Sequence, residues 1–108
     1  MANTFKNYVA TGVGTSASTI LTGGGSTQTT VIGITVANTT GSTITVDVYI
    51  TVSATDYYVV KGATVPSGGS LVPVGGDQKL VLEAGDALKV VSDTASSADV
   101  IASVLEIT

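Results

Sequence analysis

Residues 43–53 read Thr-Ile-Thr-Val-Asp-Val-Tyr-Ile-Thr-Val-Ser, an unbroken alternation of apolar and polar side chains. An extended chain turns successive side chains to opposite faces, so this run writes a strand with Ile44, Val46, Val48, Ile50 and Val52 on a dry face. Thr43, Thr45, Asp47, Tyr49, Thr51 and Ser53 form its wet face, which carries one charge. A helix would scatter both sets around its axis. The rest of the chain supports the same state, with 18 Thr and 17 Val against six Leu. Threonine and valine are β-branched and suit a pleated surface, while the 13 Gly and 11 Ser punctuate turns.

The spacing predicts strands over Phe5–Val13, Ser18–Thr22, Gln28–Ala37, 43–53, Tyr57–Thr64, Leu71–Val74, Lys79–Glu83, Ala87–Ser92 and Asp99–Ile107. In the third of these, Thr30, Ile32, Ile34 and Val36 are expected to share a face. In the last, Ile101, Ser103, Leu105 and Ile107 are expected to do so. Asn38–Ser42 reads as a turn that joins the third and fourth strands into a long hairpin. Ala84–Ala87 and Ala95–Ala98 are each long enough for one short helical turn. No apolar pattern at helical spacing persists over three turns. Short strands with turn signals every 8–12 residues argue for an all-β chain: a single antiparallel β-sandwich or jelly-roll-like domain of about eight short strands over residues 1–108. Residues 1–9 are set apart as a possible N-terminal arm or edge strand.

Several function classes fall to composition. The net charge of −4, with four dispersed Lys and no Arg, disfavours nucleic acid, which needs clustered cations to displace counterions. No apolar run approaches the roughly 20 residues of a membrane helix, and Met1–Lys6 shows no basic region followed by an apolar stretch, so neither a membrane partner nor a secretory signal is expected. Without His, Cys or Arg there is no His-based triad and no thiolate metal site. A Ser–Lys pair would need Lys6, Lys61, Lys79 or Lys89 buried and neutral, whereas each sits at a strand position that suits a snorkelling surface lysine. Glu83 and Asp86, with Asp77 nearby, could be arranged as paired carboxylates, yet a turn with one Phe, four Tyr and no Trp in the chain makes a poor sugar cleft.

The reading is therefore of no enzyme and no cofactor. A structural calcium is the one cation the residues suit, through Asp77, Glu83, Asp86, Asp93 and Asp99, although no D-x-D-x-D-G loop gathers them. Gly12–Gly14 and Gly23–Gly25 open no helix and read as turns rather than phosphate cradles. Asn38-Thr39-Thr40 fits the N-glycosylation pattern, a frequent coincidence in a threonine-rich chain. Of Tyr57 and Tyr58, one is expected in the core and the other as an interface anchor. Phe5, Tyr8, Tyr49, Tyr57 and Tyr58 are the candidate interface residues. Only 11% of the residues are charged, which fits either a polar surface made of Thr and Ser or surface covered in an assembly, the polar side of 43–53 included.

Three stretches carry a resemblance: Val31–Thr40, Asp56–Pro66 running into Gly68–Leu71, and Lys79–Val90 followed by Asp99–Glu106. The chain resembles small virion structural proteins of tailed bacteriophages, those of marine cyanophages in particular. That resemblance implies a non-enzymatic virion subunit assembled in the bacterial host cytoplasm. Its first implied role is a capsid decoration or cement subunit that bridges shell subunits. A neck, tail or fibre-associated subunit is the second. The implied partners are the major capsid protein or tail and neck subunits, and copies of itself in a homo-oligomer, a trimer above all. From the residues alone, a host-glycan-binding module using the loops Ser67–Ser70 and Asp93–Ser97 remains a further alternative.

Overall fold

The computed structural model describes residues 3–75 and 79–108. Nine strands follow one another: β1 (Asn3–Val13), β2 (Ser18–Thr22), β3 (Gln28–Asn38), β4 (Ile44–Val52), β5 (Thr55–Val65), β6 (Ser70–Val74), β7 (Leu80–Leu82), β8 (Ala87–Ser92) and β9 (Ala98–Ile107). No described residue is helical. The two stretches expected as single helical turns are tight turns; Asp86 N–H closes the first on Glu83 O at 3.0 Å.

All pairings are antiparallel. One sheet runs β1-β9-β3-β6, with β7 also pairing on β3, and the other runs β2-β8-β4-β5. With the three-residue β7 set aside, the first strand pairs the last, the second the next to last, the third pairs β6, and β4 pairs β5. That nested winding is the two-sheet jelly roll, in which the chain alternates between layers from β1 to β4 and the central β4 and β5 stay in one layer. The nine strands thus form the antiparallel sandwich that the alternation implied.

The core lies between the inner faces. Val31, Ile34 and Val36 of β3 and Val100, Ala102 and Val104 of β9 meet Ile44, Val46 and Val48 of β4 and Leu88 and Val90 of β8, all of them buried. The dry face of the opening run is confirmed for Ile44, Val46 and Val48; Ile50 and Val52 are partly open near the strand's end.

Two local expectations are corrected. The strands β3 and β4 form no hairpin: β3 pairs β9, β6 and β7, while β4 pairs β5 and β8. The segment 39–43 crosses between layers. The buried Asn38 amide anchors it, donating from Nδ2 to Ser42 O (2.7 Å) and Val65 O (3.0 Å) and accepting at Oδ1 from Thr40 N–H (2.9 Å) and Thr40 Oγ1 (2.7 Å). An amide so committed is not available as a glycan acceptor in the fold. Second, β3 changes face at a bulge between Val31 and Gly33, so Val31, Ile34 and Val36 point inward while Thr30 points out. On β9, Ile101, Ser103 and Leu105 share a face as expected; it is the outer one, and Ala98, Val100, Ala102 and Val104 are buried. Both of its faces are apolar, so alternation alone does not choose between them.

Candidate assembly surface

The outward choice made by β9 creates the most distinctive surface of the molecule. Directly paired residues share a face. Phe5 pairs Leu105, which pairs Thr30, which pairs Val81, giving one row across four strands. Val9 pairs Ile101, which pairs Thr35, giving a second row, with Val72 of β6 exposed beyond it. Phe5 is 75% exposed, Val9 65%, Val72 and Val81 61% each, and Ile101 50%. On this side β1, β9 and β3 present one charged residue, Asp99, and its carboxylate already accepts from Thr11 Oγ1 (2.7 Å) and Gly12 N–H (3.2 Å) at one end. Large apolar side chains gathered on a face with a single charge at one end mark a contact surface far better than single exposed ones do.

The opposite outer face, on the second sheet, is charged and internally satisfied. Asp47 accepts from Gly62 N–H at 2.7 Å, Asp56 accepts from Thr51 Oγ1 at 2.7 Å, and Lys89 lies opposite Tyr49. The Tyr49 ring sits 5.0 Å from that of Tyr58 at a tilt of 39°, and Lys61 Nζ lies 4.3 Å from the Tyr58 centroid. Tyr49 is buried by this stack, and its phenol is pushed up by burial first and by Asp56 second. On the polar side of residues 44–52, Tyr49 alone is buried, while Thr45, Asp47 and Thr51 stay half-buried.

The five candidate interface residues therefore divide. Phe5 and Tyr8 lie on β1, whereas Tyr49, Tyr57 and Tyr58 lie on β4 and β5 of the other sheet. Neither Tyr57 nor Tyr58 packs in the core, at 56% and 44% exposure. Tyr57 pairs Ile50 near the far end of the hairpin, where the opposite sheet no longer covers it. Tyr8 points to the inner side of β1 and donates to Glu106 Oε2, while Lys6 Nζ lies 3.6 Å from Glu106 Oε1 and 5.7 Å from the Tyr8 ring. The hydrogen bond to Glu106 is the main reason the Tyr8 phenol is held above its ordinary value, with burial second. Sequence reasoning missed Val72, Val81, Ile101 and Leu105. Their signal was apolar residues on both parities of one strand, legible only once pairing was known.

The sheet edges differ in how they are finished. Strand β2 has five residues and a register shift, β6 contains Pro73 and a register shift, and β7 has three residues. Strand β5 is long, yet it carries two register shifts, a positive φ at Gly62 and the charge of Lys61. These are the devices that keep an edge from recruiting a strand. By contrast, Asn3–Ala10 of β1 runs in uninterrupted register against Ile107–Val100, and its irregularity begins only after Ala10.

The acids considered for calcium are dispersed: Asp86 Oδ2 accepts from Glu83 N–H at 2.9 Å, Asp93 Oδ1 accepts from Thr45 N–H at 3.1 Å, and Asp99 is tied to Thr11. Asp77 lies outside the described residues. Among those described, no group of three acids could hold a metal ion. A hollow of about 440 Å³ is lined by Thr27, Gln28, Thr29 and Thr30 on one side and Val81, Leu82, Ala84 and the single carboxylate of Glu83 on the other. No described helix is long and apolar enough to cross a membrane.

No family model matches the chain, and no curated protein matches it by sequence. Among solved structures, a chain from the Bacillus endospore appendages, which form disulfide-linked pili, superposes with a TM-score of 0.56. The match covers 99% of this chain and 87% of that one, at 14% identity. At that identity the likeness is one of fold. The present chain contains no cysteine, so it has no means of joining such disulfides.

Proposed function

We propose that this protein is a non-enzymatic structural subunit that works by being packed in an assembled particle. The observation that carries the reading is the outer face of the first sheet, charged only at Asp99, where Phe5, Val9, Val72, Val81 and Ile101 stand exposed beside an unprotected strand edge. Burying this much apolar surface on association is favourable, and little charge has to be desolvated there.

The resemblance to tailed-phage virion proteins supports the finer form of the proposal. In that form the chain is a capsid decoration subunit bridging shell subunits, with a neck, tail or fibre-associated subunit next. Its partners are the major capsid protein or tail subunits and copies of itself. A second reading, a subunit of a linear filament, is favoured by the fold shared with the endospore appendage chain; any such filament would be held without disulfides from this chain. The test is to label the protein in purified particles and locate it by electron microscopy. Signal distributed over the shell supports the decoration role. Signal confined to the tail, or to separate filaments, overturns that role in favour of the alternative, and a protein absent from every assembly overturns the proposal as a whole.

A further inference from the structure

From the finish of the four sheet edges, we infer that two copies of this chain pair antiparallel through β1, about a two-fold axis at Asn7, joining their first sheets into one continuous sheet. The inference deepens the structural-subunit reading by naming the partner of one edge. Among the described residues, one edge alone is left open. The others are short, contain Pro73, or carry shifts or a left-handed glycine within the paired run, whereas the shift and the left-handed Gly12 of β1 come only after Ala10. Head-to-tail strand addition needs two different open edges, whereas a two-fold pair needs one. A single open edge therefore selects the pair.

The residues of β1 suit that axis. With Asn7 opposite Asn7 of the partner subunit, Phe5 of each copy lies opposite Val9 of the other, so the two apolar rows run on across the junction. On the inner side Lys6 lies opposite the other copy's Tyr8, an arrangement already sampled within one chain, where Lys6 Nζ is 5.7 Å from the Tyr8 ring. Lys6 is the sole charge from Asn3 to Ala10, and Glu106 of its own chain balances it at 3.6 Å. An axis one residue earlier would set Lys6 against Lys6, and an axis one residue later would set Phe5 against Thr11. The centre at Asn7 is the one that matches both faces.

Because the chain lacks cysteine, an Asn7→Cys variant reports on the axis without background. The intact protein and this variant are compared by light scattering and by mild oxidation or a short bis-maleimide. Thr55→Cys, on the bulged β5 edge, serves as the control. The expected result is a concentration-dependent dimer, a covalent dimer from Asn7→Cys in high yield, and little from Thr55→Cys. Asn7→Lys, which sets like charges on the axis, should weaken the dimer by roughly tenfold or more. Its far-ultraviolet circular dichroism and melting temperature show that it still folds. A protein that stays monomeric overturns the inference. So does a dimer or trimer that ignores Asn7→Lys, or equal cross-linking at both cysteines. Failure here leaves the packing of the outer face in a particle untouched, and a β1 dimer that enters no particle overturns the virion reading alone.

Discussion

The choice of inner face on β9 has a sharp energetic signature. Val104 is fully buried between Lys6 of β1 and Val31 of β3 in register, while the larger Ile101, three residues earlier, is half exposed on the other side. Val104→Thr keeps the side-chain shape and exchanges a methyl for a hydroxyl. An unpartnered buried hydroxyl costs about 1–3 kcal/mol, and the lost methyl burial adds ~0.8 kcal/mol. The expected penalty is about 2–4 kcal/mol. Ile101→Thr keeps the β-branch and removes carbon that is half in water already, so the same coefficients give under ~1 kcal/mol. For a domain of this size each kcal/mol moves the melting temperature by roughly 4–8 °C, so the two variants should be clearly separated. Urea unfolding at fixed protein concentration, with unchanged m-values, measures the difference. If Ile101→Thr costs as much as Val104→Thr, β9 packs with its larger apolar set inward, and the contact surface described above does not exist.

Other positions make independent claims. An added Cβ at Gly23 would stand 2.2 Å from Glu83 O, so Gly23→Ala must push apart two backbones tied by Gly85 N–H to Gly23 O; a loss of about 3 kcal/mol or more is expected in the same urea assay. Asn38→Ala strands Val65 O and the crossing loop without their amide, and a loss of about 2–4 kcal/mol by thermal melting is expected. Asp93 is held below its ordinary value, first by the Thr45 N–H and then by the Thr94 hydroxyl. Its contribution is therefore present above the unfolded value of about 3.9 and is lost as the pH falls through the lower folded value. Urea midpoints taken from about pH 5 downward should fall more steeply for the native chain than for Asp93→Asn; parallel curves would remove Asp93 from the account.

Strand positions were legible because period-2 alternation is a local property: every predicted strand has a counterpart displaced by two residues at most. Pairing was not legible, because it is set by residues far apart in sequence. Asn38–Ser42 looks like a hairpin turn, and what makes it a crossing between layers is the reach of the Asn38 amide to Val65 O. Faces were legible where one parity is polar, as in β4, failed where a bulge intervened, as at Ile32, and were left without an inner side where both parities are apolar, as in β9. The candidate surface inherits that limit. Phe5 stands out as the chain's single phenylalanine on a first strand, whereas the outward side of Ile101 and Leu105 is fixed only once Val100, Ala102 and Val104 are seen to fill the core.

The central claim is that the first sheet's outer face and the β1 edge are what this protein packs with. Hydroxyl-radical footprinting of the isolated chain and of the assembled particle reads this directly, residue by residue. Phe5, Ile101 and Leu105 should be strongly protected on assembly, with Tyr57 and Tyr58 labelled to the same extent in both states. Protection of Tyr57 and Tyr58 with Phe5 and Ile101 unchanged would contradict the account and move the contact to the charged sheet.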